Sequence, residues 1–244
     1  MRETFLYSGT YEDIIQTLGR WRILELRSLL DKVEYKFSYQ AFAKMVSKLE
    51  RLNYVGSIYY QGYRKNLYLT EKGLKGAGLE KSWPINKDVL LHDLICVNVF
   101  SYLLGLGRFD FGGLNLKEAG ATTRPDCMLK CGKSKLAVEI ELTQKASYRI
   151  EEKFLKYLRS EEFERVLYVF QKPPVFKAYK KRMDELDENR NPLIKKRFQD
   201  KAILLLEPEI KNNTFSLMQS PCFFQGKLTN FKEVLESDGV FAQS

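Results

Sequence analysis

Three acidic side chains flank a short predicted β-hairpin near the middle of the chain. Asp126 follows Pro125 at the start of the first strand, and Glu139 and Glu141 end the second strand, after the turn at Gly132. Apolar runs on either side of a glycine-bearing turn are typical of a hairpin. Because side chains alternate along a strand, Glu139 and Glu141 share a face, and Asp126 can share it too. The hairpin therefore predicts three carboxylates close together on one side of a sheet.

Carboxylates held this close repel one another unless a cation lies among them. Hard divalent cations such as Mg²⁺ or Mn²⁺ prefer oxygen ligands, so the predicted metal ligands are Asp126, Glu139 and Glu141. The alternative is that these side chains are solvated charges on an exposed strand face. The Pro-Asp pair at the strand start and the basic amphipathic helix that follows favour the metal site. Such a site suits hydrolysis of a phosphodiester.

Charge and hydrophobicity narrow the class of protein. The 244 residues carry a net charge of +9, and the basic residues are spread along the chain. This distribution favours a polyanionic partner such as DNA, although a basic cytosolic protein without such a partner is the alternative. No apolar run approaches the roughly 20 residues needed to cross a bilayer. The first residues also lack the apolar core of a signal peptide, so we expect a cytoplasmic protein without a membrane partner.

Cysteine and histidine usage excludes two kinds of metal site. The four cysteines form no C-x-x-C pair, and His92 is the single histidine. This argues against a structural zinc site, which needs several such ligands at close spacing. It also excludes a nuclease that holds its metal with three histidines. Any metal must therefore be held mainly by carboxylates.

Residues 1–80 have the pattern of a winged-helix DNA-binding domain. Apolar spacing predicts three helices and then two strands, over residues 11–18, 20–30, 39–52, 54–60 and 64–69. Ser38 is a suitable N-cap for the third helix. A glycine-rich linker over 75–79, followed by Trp83-Pro84, predicts a domain boundary between residues 80 and 85.

A winged helix usually lays its third helix in the major groove and its hairpin on the DNA backbone. We therefore expect basic phosphate and base contacts from Lys44, Lys48, Arg51, Arg64 and Lys65. The polar side chains expected to contact bases are Gln40 and Ser47. Arg124, next to the acidic hairpin, is a further predicted DNA contact. The alternative is a winged helix that binds protein.

Residues 85–244 predict an α+β domain with a mixed sheet flanked by helices. A helix that begins at Asn86 or Asp88 precedes a three-stranded meander that contains the acidic hairpin. The later predicted elements are helix, strand, helix and strand, over residues 147–159, 165–171, 174–186 and 201–207. The last two strands are almost continuously apolar, which is typical of strands buried on both faces.

This order of elements, with its motifs, resembles the restriction-endonuclease-like, or PD-(D/E)XK, fold. The motifs are residues 92–98 on the first helix, Arg124-Pro125-Asp126, residues 138–143, and the helical run 153–157. Together they resemble the replication-relaxation proteins, and the N-terminal winged helix is most similar to MobC-type plasmid relaxases. The resemblance covers nearly the whole chain in layout, while each motif is short. It implies a metal-dependent DNA endonuclease that nicks one strand at a plasmid transfer origin, with Mg²⁺ or Mn²⁺ as cofactor. It also implies an accessory mobilisation protein and a coupling ATPase as partners.

One position departs from the resembled family. The third position of its motif is a lysine that helps to position the attacking water, and here that position is Glu141. Either Glu141 is a third carboxylate ligand, or the ammonium group comes from elsewhere. Lys145 lies near the strand end, while Lys153 on the following helix can point back over the sheet. The resemblance places a helix lysine at Lys153, and this is the assignment we favour.

Three further residues are candidates with open roles. Gln144 can complete the site as a polar partner, and Tyr157 lies one turn beyond Lys153 on the same helix face. Tyr157 is alternatively a nucleophile that attacks DNA covalently, or a structural residue. His92 is either a site residue or a hydrogen-bonded structural group on its helix.

Two other functions remain open at the level of sequence. In the first, the C-terminal domain is not catalytic, and the protein is a winged-helix repressor or relaxosome accessory factor. Glu141 at the lysine position favours this alternative. In the second, the protein is a nuclease of a transposon or host-defence system, with the same chemistry and a different DNA target.

Overall fold

The computed structural model describes residues 8–33, 37–60, 64–79, 87–114, 123–185, 192–211 and 215–241. The chain divides into two compact units, Met1–Val97 and Asn98–Ser244, and each unit contains its own sheet. The predicted boundary between residues 80 and 85, and the predicted turn over 61–63, lie outside the described residues.

The first unit is built around a small three-stranded sheet. Its elements are α1 Thr10–Trp21, β1 Ile23–Glu25, α2 Leu26–Lys32, α3 Tyr39–Arg51, β2 Val55–Tyr60, β3 Arg64–Leu69, α4 Glu71–Gly76 and the first part of α5 Lys87–Gly105. Strand β3 lies between β1 and β2 and is antiparallel to both. Side chains such as Ile14, Phe42 and Leu67 are fully buried in this unit.

The predicted helix over residues 20–30 is interrupted: Ile23–Glu25 is a strand, and the helix that covers the rest of the segment begins only at Leu26. Helix α1 continues to Trp21, and Arg22 then takes a left-handed conformation with a φ of 64°. Ile23–Glu25 is extended and pairs with β3 before helix α2 begins at Leu26. Pairing with β3 satisfies the backbone hydrogen-bonding groups of this segment. Tertiary pairing of this kind overrides a local helical pattern, which carries no information about the partner strand.

Helix α3 follows the sequence prediction closely. The hydroxyl of Ser38 accepts a hydrogen bond from the backbone nitrogen of Ala41 at 3.3 Å, as an N-cap does. Phe42, Val46 and Leu49 are buried at helical spacing. The opposite face of α3 is therefore the one that carries polar and basic side chains to solvent.

The second unit is a large mixed sheet flanked by helices. After the end of α5, its elements are β4 Phe111–Leu114, β5 Cys127–Cys131, β6 Ser134–Glu141, α6 Ser147–Arg159, β7 Arg165–Phe170, α7 Pro173–Glu185, α8 Pro192–Lys201, β8 Ala202–Leu206, β9 Pro221–Phe224, β10 Lys227–Asn230 and α9 Phe231–Ser237. Among the described residues, seven strands form this sheet in the order β10-β9-β8-β7-β6-β5-β4. Strands β6, β7 and β8 are parallel to one another, and the strands on either side are antiparallel. The chain is therefore a mixed α+β protein.

One face of the large sheet is covered by helices α6, α7 and α8. Ala137 of β6 and Tyr168 of β7 pack there with Phe154 of α6 in a single buried cluster. Glu139 and Glu141 follow Ala137 by two and four residues on the same strand, so they extend from the same face. This register places both carboxylates beneath α6.

Helix α5 is 19 residues long. None of the helices in the described part of the chain is both long enough and apolar enough to span a membrane.

Candidate functional site

Asp126 is tied to the strand that carries the two glutamates. It immediately precedes β5, which pairs antiparallel with β6 from Cys127 opposite Val138 onward. Its Oδ2 atom accepts a 2.8 Å hydrogen bond from the backbone nitrogen of Ile140. Ile140 lies between Glu139 and Glu141, so the hairpin register holds the Asp126 carboxylate at the end of β6 where both glutamates project.

The ammonium group of Lys153 joins the two glutamates. Its Nζ atom lies 2.7 Å from Glu139 Oε2 and 2.6 Å from Glu141 Oε1. Glu139 and Glu141 are only 5% and 1% exposed. Helix α6 packs on the sheet through buried residues that include Ile150 and Phe154, and Lys153 extends from between them. The packing of α6 therefore places the Lys153 ammonium group against two carboxylates that are buried from solvent.

Two more donors complete the cluster. Lys145 Nζ lies 2.7 Å from Glu141 Oε2 and 2.8 Å from Glu141 Oε1. The hydroxyl of Tyr157, which is fully buried on α6, donates a 2.5 Å hydrogen bond to Glu139 Oε1. We call Glu139, Glu141, Lys145, Lys153 and Tyr157 the carboxylate–lysine cluster. Its two glutamates and two lysines carry equal and opposite charge, and Asp126 adds a further negative charge beside it.

Burial shifts the protonation equilibria of the cluster. Loss of hydration raises the pKa of Glu139 to about 7, although the ammonium of Lys153 opposes this rise. Burial disfavours the charged form of Lys153, but Glu139 and Glu141 outweigh it and hold the pKa of Lys153 well above its usual value. Burial, and then the charge of Glu139, also raise the pKa of the Tyr157 hydroxyl. Tyr157 therefore acts in this structure as a neutral donor.

Two tyrosines that the sequence did not single out lie beside the cluster. Tyr168 on β7 is opposite Glu139 in the parallel register, and it is fully buried. Its hydroxyl is buried with no hydrogen-bond partner among the described residues. Tyr179 on α7 is also fully buried, and burial followed by the charge of Glu141 raises the pKa of its hydroxyl. Only the parallel pairing of β6 with β7, which no local pattern reports, brings Tyr168 to the site.

The predicted ligand set of Asp126, Glu139 and Glu141 is close in space but is not a preformed three-carboxylate cage. Among the described residues, these three do not offer oxygens that all lie within 4.8 Å of one another. The glutamate oxygens instead contact the ammonium groups of Lys153 and Lys145. A buried carboxylate pair needs nearby positive charge, and here lysines of the same chain supply it.

Gln144 and His92 are not part of the carboxylate–lysine cluster, and Tyr157 belongs to it only as a hydrogen-bond donor. Gln144 is exposed, and its amide nitrogen donates to the backbone oxygen of Lys145 at 3.0 Å. Its predicted role as a polar partner of the carboxylates is therefore not supported by its contacts. His92 belongs to the first unit, where its ring nitrogen Nδ1 lies 3.5 Å from Cys96 Sγ. A covalent role for Tyr157 conflicts with its complete burial, because a nucleophile must reach a phosphate in solvent-accessible DNA.

The predicted DNA contacts differ in their exposure. On α3, Gln40, Lys44, Ser47 and Arg51 are exposed along one side of the helix. Lys48 is half-buried, with its ammonium 5.2 Å from the centre of the Tyr11 ring.

The two hairpin residues of this set are half-buried. Lys65 forms a 2.7 Å ion pair with Glu50, so its charge is already matched, and Arg64 lies beside it on β3. Arg124 is exposed in the second unit, two residues before Asp126. Within the predicted set, the exposed basic side chains are therefore Lys44 and Arg51 on α3 and Arg124 in the second unit, while both hairpin residues are half-buried.

Comparison with known proteins identifies no family. No family model matches the sequence, and no curated protein matches it. Among solved structures, the chain is similar to the crystal structure of protein VC1899 from Vibrio cholerae, with 15% sequence identity and a TM-score of 0.32. The similarity covers 86% of this chain and 56% of that chain. An identity and a TM-score this low indicate neither the fold nor the function of this chain.

Proposed function

We propose that the protein is a metal-dependent DNA endonuclease that nicks one strand. The main support is a contact at the end of β6: the ammonium group of Lys153 on α6 lies against the carboxylates of Glu139 and Glu141, and Asp126 lies beside them. A lysine and several carboxylates at one strand end supply what phosphodiester hydrolysis needs, namely oxygen ligands and a cation for the phosphate. The arrangement fits the restriction-endonuclease-like fold that the sequence resembles.

The residues present fit a hard divalent cation in donor chemistry. Asp126, Glu139 and Glu141 would hold Mg²⁺ or Mn²⁺ through carboxylate oxygens. Asp126 supports this assignment, because it adds a third carboxylate at the end of β6, next to the two glutamates. When bound, such a cation makes water a better nucleophile and neutralises charge on the scissile phosphate.

The other residues of the cluster would each have a separate role in the reaction. Lys153 would supply the ammonium group that, in the resembled family, helps to position the attacking water, and this group can also contact a phosphate oxygen. Tyr157 fixes the orientation of Glu139 through its hydrogen bond. Glu141 either completes the ligand set or orients the attacking water. Lys145, 36% exposed in its side chain, lies at the solvent side of the same glutamate.

The first unit would supply DNA recognition as a winged helix. In support, its order of elements includes three helices followed by a two-stranded hairpin, and the side chains of α3 that point to solvent are polar or basic. Exposed Lys44 and Arg51 can contact phosphates, and Gln40 and Ser47 can contact base edges. The net charge of +9 is consistent with a polyanionic partner.

The biological target follows from the sequence resemblance to MobC-type relaxases. We infer a cytoplasmic protein that binds and nicks a plasmid transfer origin, together with an accessory mobilisation protein and a coupling ATPase. A nuclease of a transposon or defence system would use the same chemistry on different DNA.

Plasmid relaxation tests the enzyme. Supercoiled plasmid that carries a candidate transfer origin is incubated with the full-length protein and Mg²⁺ or Mn²⁺. The expected product is open-circular DNA, which is lost with EDTA and with the Asp126→Ala variant. Lys133→Ala is a matched control for folding of the same hairpin, because it removes an exposed side chain in the turn between β5 and β6 that is not among the predicted DNA contacts.

A second candidate function is a DNA-binding accessory protein or repressor without catalysis. The observation that favours it is the near-complete burial of Glu139 and Glu141, with each carboxylate already paired to lysine. Buried ion pairs also occur as purely structural networks. A protein that shifts the mobility of origin DNA and never nicks it, with either cation, would establish this alternative.

A further inference from the structure

Every side-chain oxygen of the two buried glutamates already has a donor from this chain. Glu139 Oε1 accepts from Tyr157 at 2.5 Å, and Glu139 Oε2 lies 2.7 Å from Lys153 Nζ. Glu141 Oε1 lies 2.6 Å from Lys153 Nζ, and Glu141 Oε2 lies 2.7 Å from Lys145 Nζ. A divalent cation that approaches these oxygens therefore meets a hydrogen-bond donor at each of them, and three of the four donor contacts come from a positively charged lysine.

The three donors, Tyr157, Lys153 and Lys145, differ in how easily their side chains can move away from the glutamates. Tyr157 is 0% exposed and packs with Phe163 and Tyr168, so its hydroxyl is fixed by the core. The side chains of Lys153 and Lys145 are 21% and 36% exposed. Lysine has four rotatable bonds and a compact charge, so it can withdraw towards solvent without disturbing the backbone. The lysines are thus the donors that can be exchanged.

We propose that Lys145 and Lys153 form a lysine lock, which keeps the Glu139 and Glu141 oxygens closed to divalent cations until a DNA phosphate draws the ammonium groups away. The inference rests on the proposed nuclease function, and it adds a rule for the order and coupling of binding. DNA opens the cation site, and the cation in turn favours bound DNA.

The charges of the lysines, the glutamates and the DNA phosphate explain why DNA should open the cation site. With both lysines in place, the two glutamates are neutralised, so a cation entering the cluster gains little and meets two positive charges at close range. A phosphate offers each ammonium an alternative charged acceptor. Once the lysines pair with phosphate, the glutamates regain net negative charge and attract the cation. By linkage, the factor by which DNA raises cation affinity equals the factor by which the cation raises DNA affinity.

Equilibrium binding of Mn²⁺, followed by the electron paramagnetic resonance signal of the free ion, tests the lock without an activity readout. The full-length protein is compared with Lys153→Met, Lys145→Met and the control Lys156→Met, each with and without a short DNA duplex. Lys156 is exposed on the same helix, so its substitution removes the same charge outside the cluster. A cooperative thermal unfolding transition shows that each variant is folded. If Lys153→Met does not fold, Lys145→Met is used as the test variant.

The lock predicts two effects together. Without DNA, Lys153→Met binds Mn²⁺ at least about tenfold more tightly than the wild type, Lys145→Met shows a smaller gain, and Lys156→Met is unchanged. With the duplex, the wild-type affinity for Mn²⁺ rises, and this rise is reduced in Lys153→Met because its lysine no longer has to be displaced.

Two results overturn the lock, and they separate it from the proposed function. If wild type and both lysine variants bind Mn²⁺ equally, and Glu139→Gln abolishes binding, the cation site stands and the lock does not. If no variant binds Mn²⁺ with or without DNA, the lock falls together with the nuclease proposal.

Discussion

The hydroxyl of Tyr157 donates a 2.5 Å hydrogen bond to Glu139 Oε1, and the donor and acceptor are both buried. This contact links helix α6 to the end of β6 independently of the lysines. Because Glu139 is buried, solvent cannot replace a lost donor, and its carboxylate is then left with an unsatisfied hydrogen-bond acceptor.

Tyr157→Phe therefore tests whether Tyr157 positions Glu139 or attacks DNA. We expect the free energy of unfolding to fall by about 2 kcal/mol, since a hydrogen bond to a charged group is lost. Nicking should be reduced but still measurable. Denaturant unfolding and plasmid relaxation check the two effects. Complete loss of nicking, together with a wild-type protein–DNA adduct that survives detergent, would instead support a covalent tyrosine.

Lys153→Met should remove most of the nicking activity. We expect a decrease of about 10²- to 10³-fold in the nicking rate, because a preorganised positive charge next to the scissile phosphate is lost. Lys156→Met, one turn along on the exposed side of α6, should leave the rate unchanged. Initial rates of open-circle formation at saturating Mg²⁺ measure both. Equal rates for the two variants would show that Lys153 has no role in the reaction.

The raised pKa of Glu139 predicts a specific pH dependence of stability without divalent cations. The pKa is about 7 in the folded state and near 4.5 when unfolded, so the folded state binds the extra proton between these values. The stability contributed by this group is present below pH 4.5, falls as pH rises towards 7, and stays low above it. The total change is about 3 kcal/mol.

Glu139→Gln provides the control for this pH dependence, because glutamine does not titrate. Urea unfolding in EDTA from pH 5 to pH 8 should show a smaller loss of stability in this variant than in the wild type. Parallel curves for the two proteins would mean that Glu139 keeps an ordinary pKa and that the cluster is better hydrated than its burial indicates.

Much of the fold followed from local patterns. Helix α6 and strand β3 have the limits that the sequence predicted, because each has a clear apolar period. The assignment of Lys153 comes from the family resemblance, since the helical period alone places it on the outward side; in the structure it lies within one turn of Ile150 and Phe154, which face the sheet. Its ion pairs with Glu139 and Glu141 are a consequence of how α6 docks.

Other parts depended on contacts that sequence patterns do not report. The strand Ile23–Glu25 needs β3 as a partner, and Tyr168 reaches the site only through parallel pairing of β7 with β6. The short strands β9 and β10 were not predicted, since four residues give too little alternation to recognise. The pairing of Lys65 with Glu50 likewise depends on how the hairpin packs against α3.

The exposed side of α3 leads to a prediction about DNA affinity. Lys44→Ala and Arg51→Ala should each weaken binding to every DNA sequence and lower the slope of log affinity against log salt by about 0.9 per lost phosphate contact. Lys75→Ala is the matched control, because Lys75 is 74% exposed in the same unit and lies outside α3. Fluorescence anisotropy over a range of salt concentrations measures the slopes. A loss of slope in Lys75→Ala that equals that of the α3 variants would place the DNA elsewhere.

A crystal structure of the full-length protein with a DNA duplex and Mn²⁺ tests the central claim most directly. The account predicts an anomalous Mn²⁺ peak within ~2.5 Å of carboxylate oxygens of Asp126 and Glu139, with Lys153 turned from the glutamates to a phosphate. DNA bound at the second unit without such a peak, and with Lys153 still paired to Glu139 and Glu141, would contradict it.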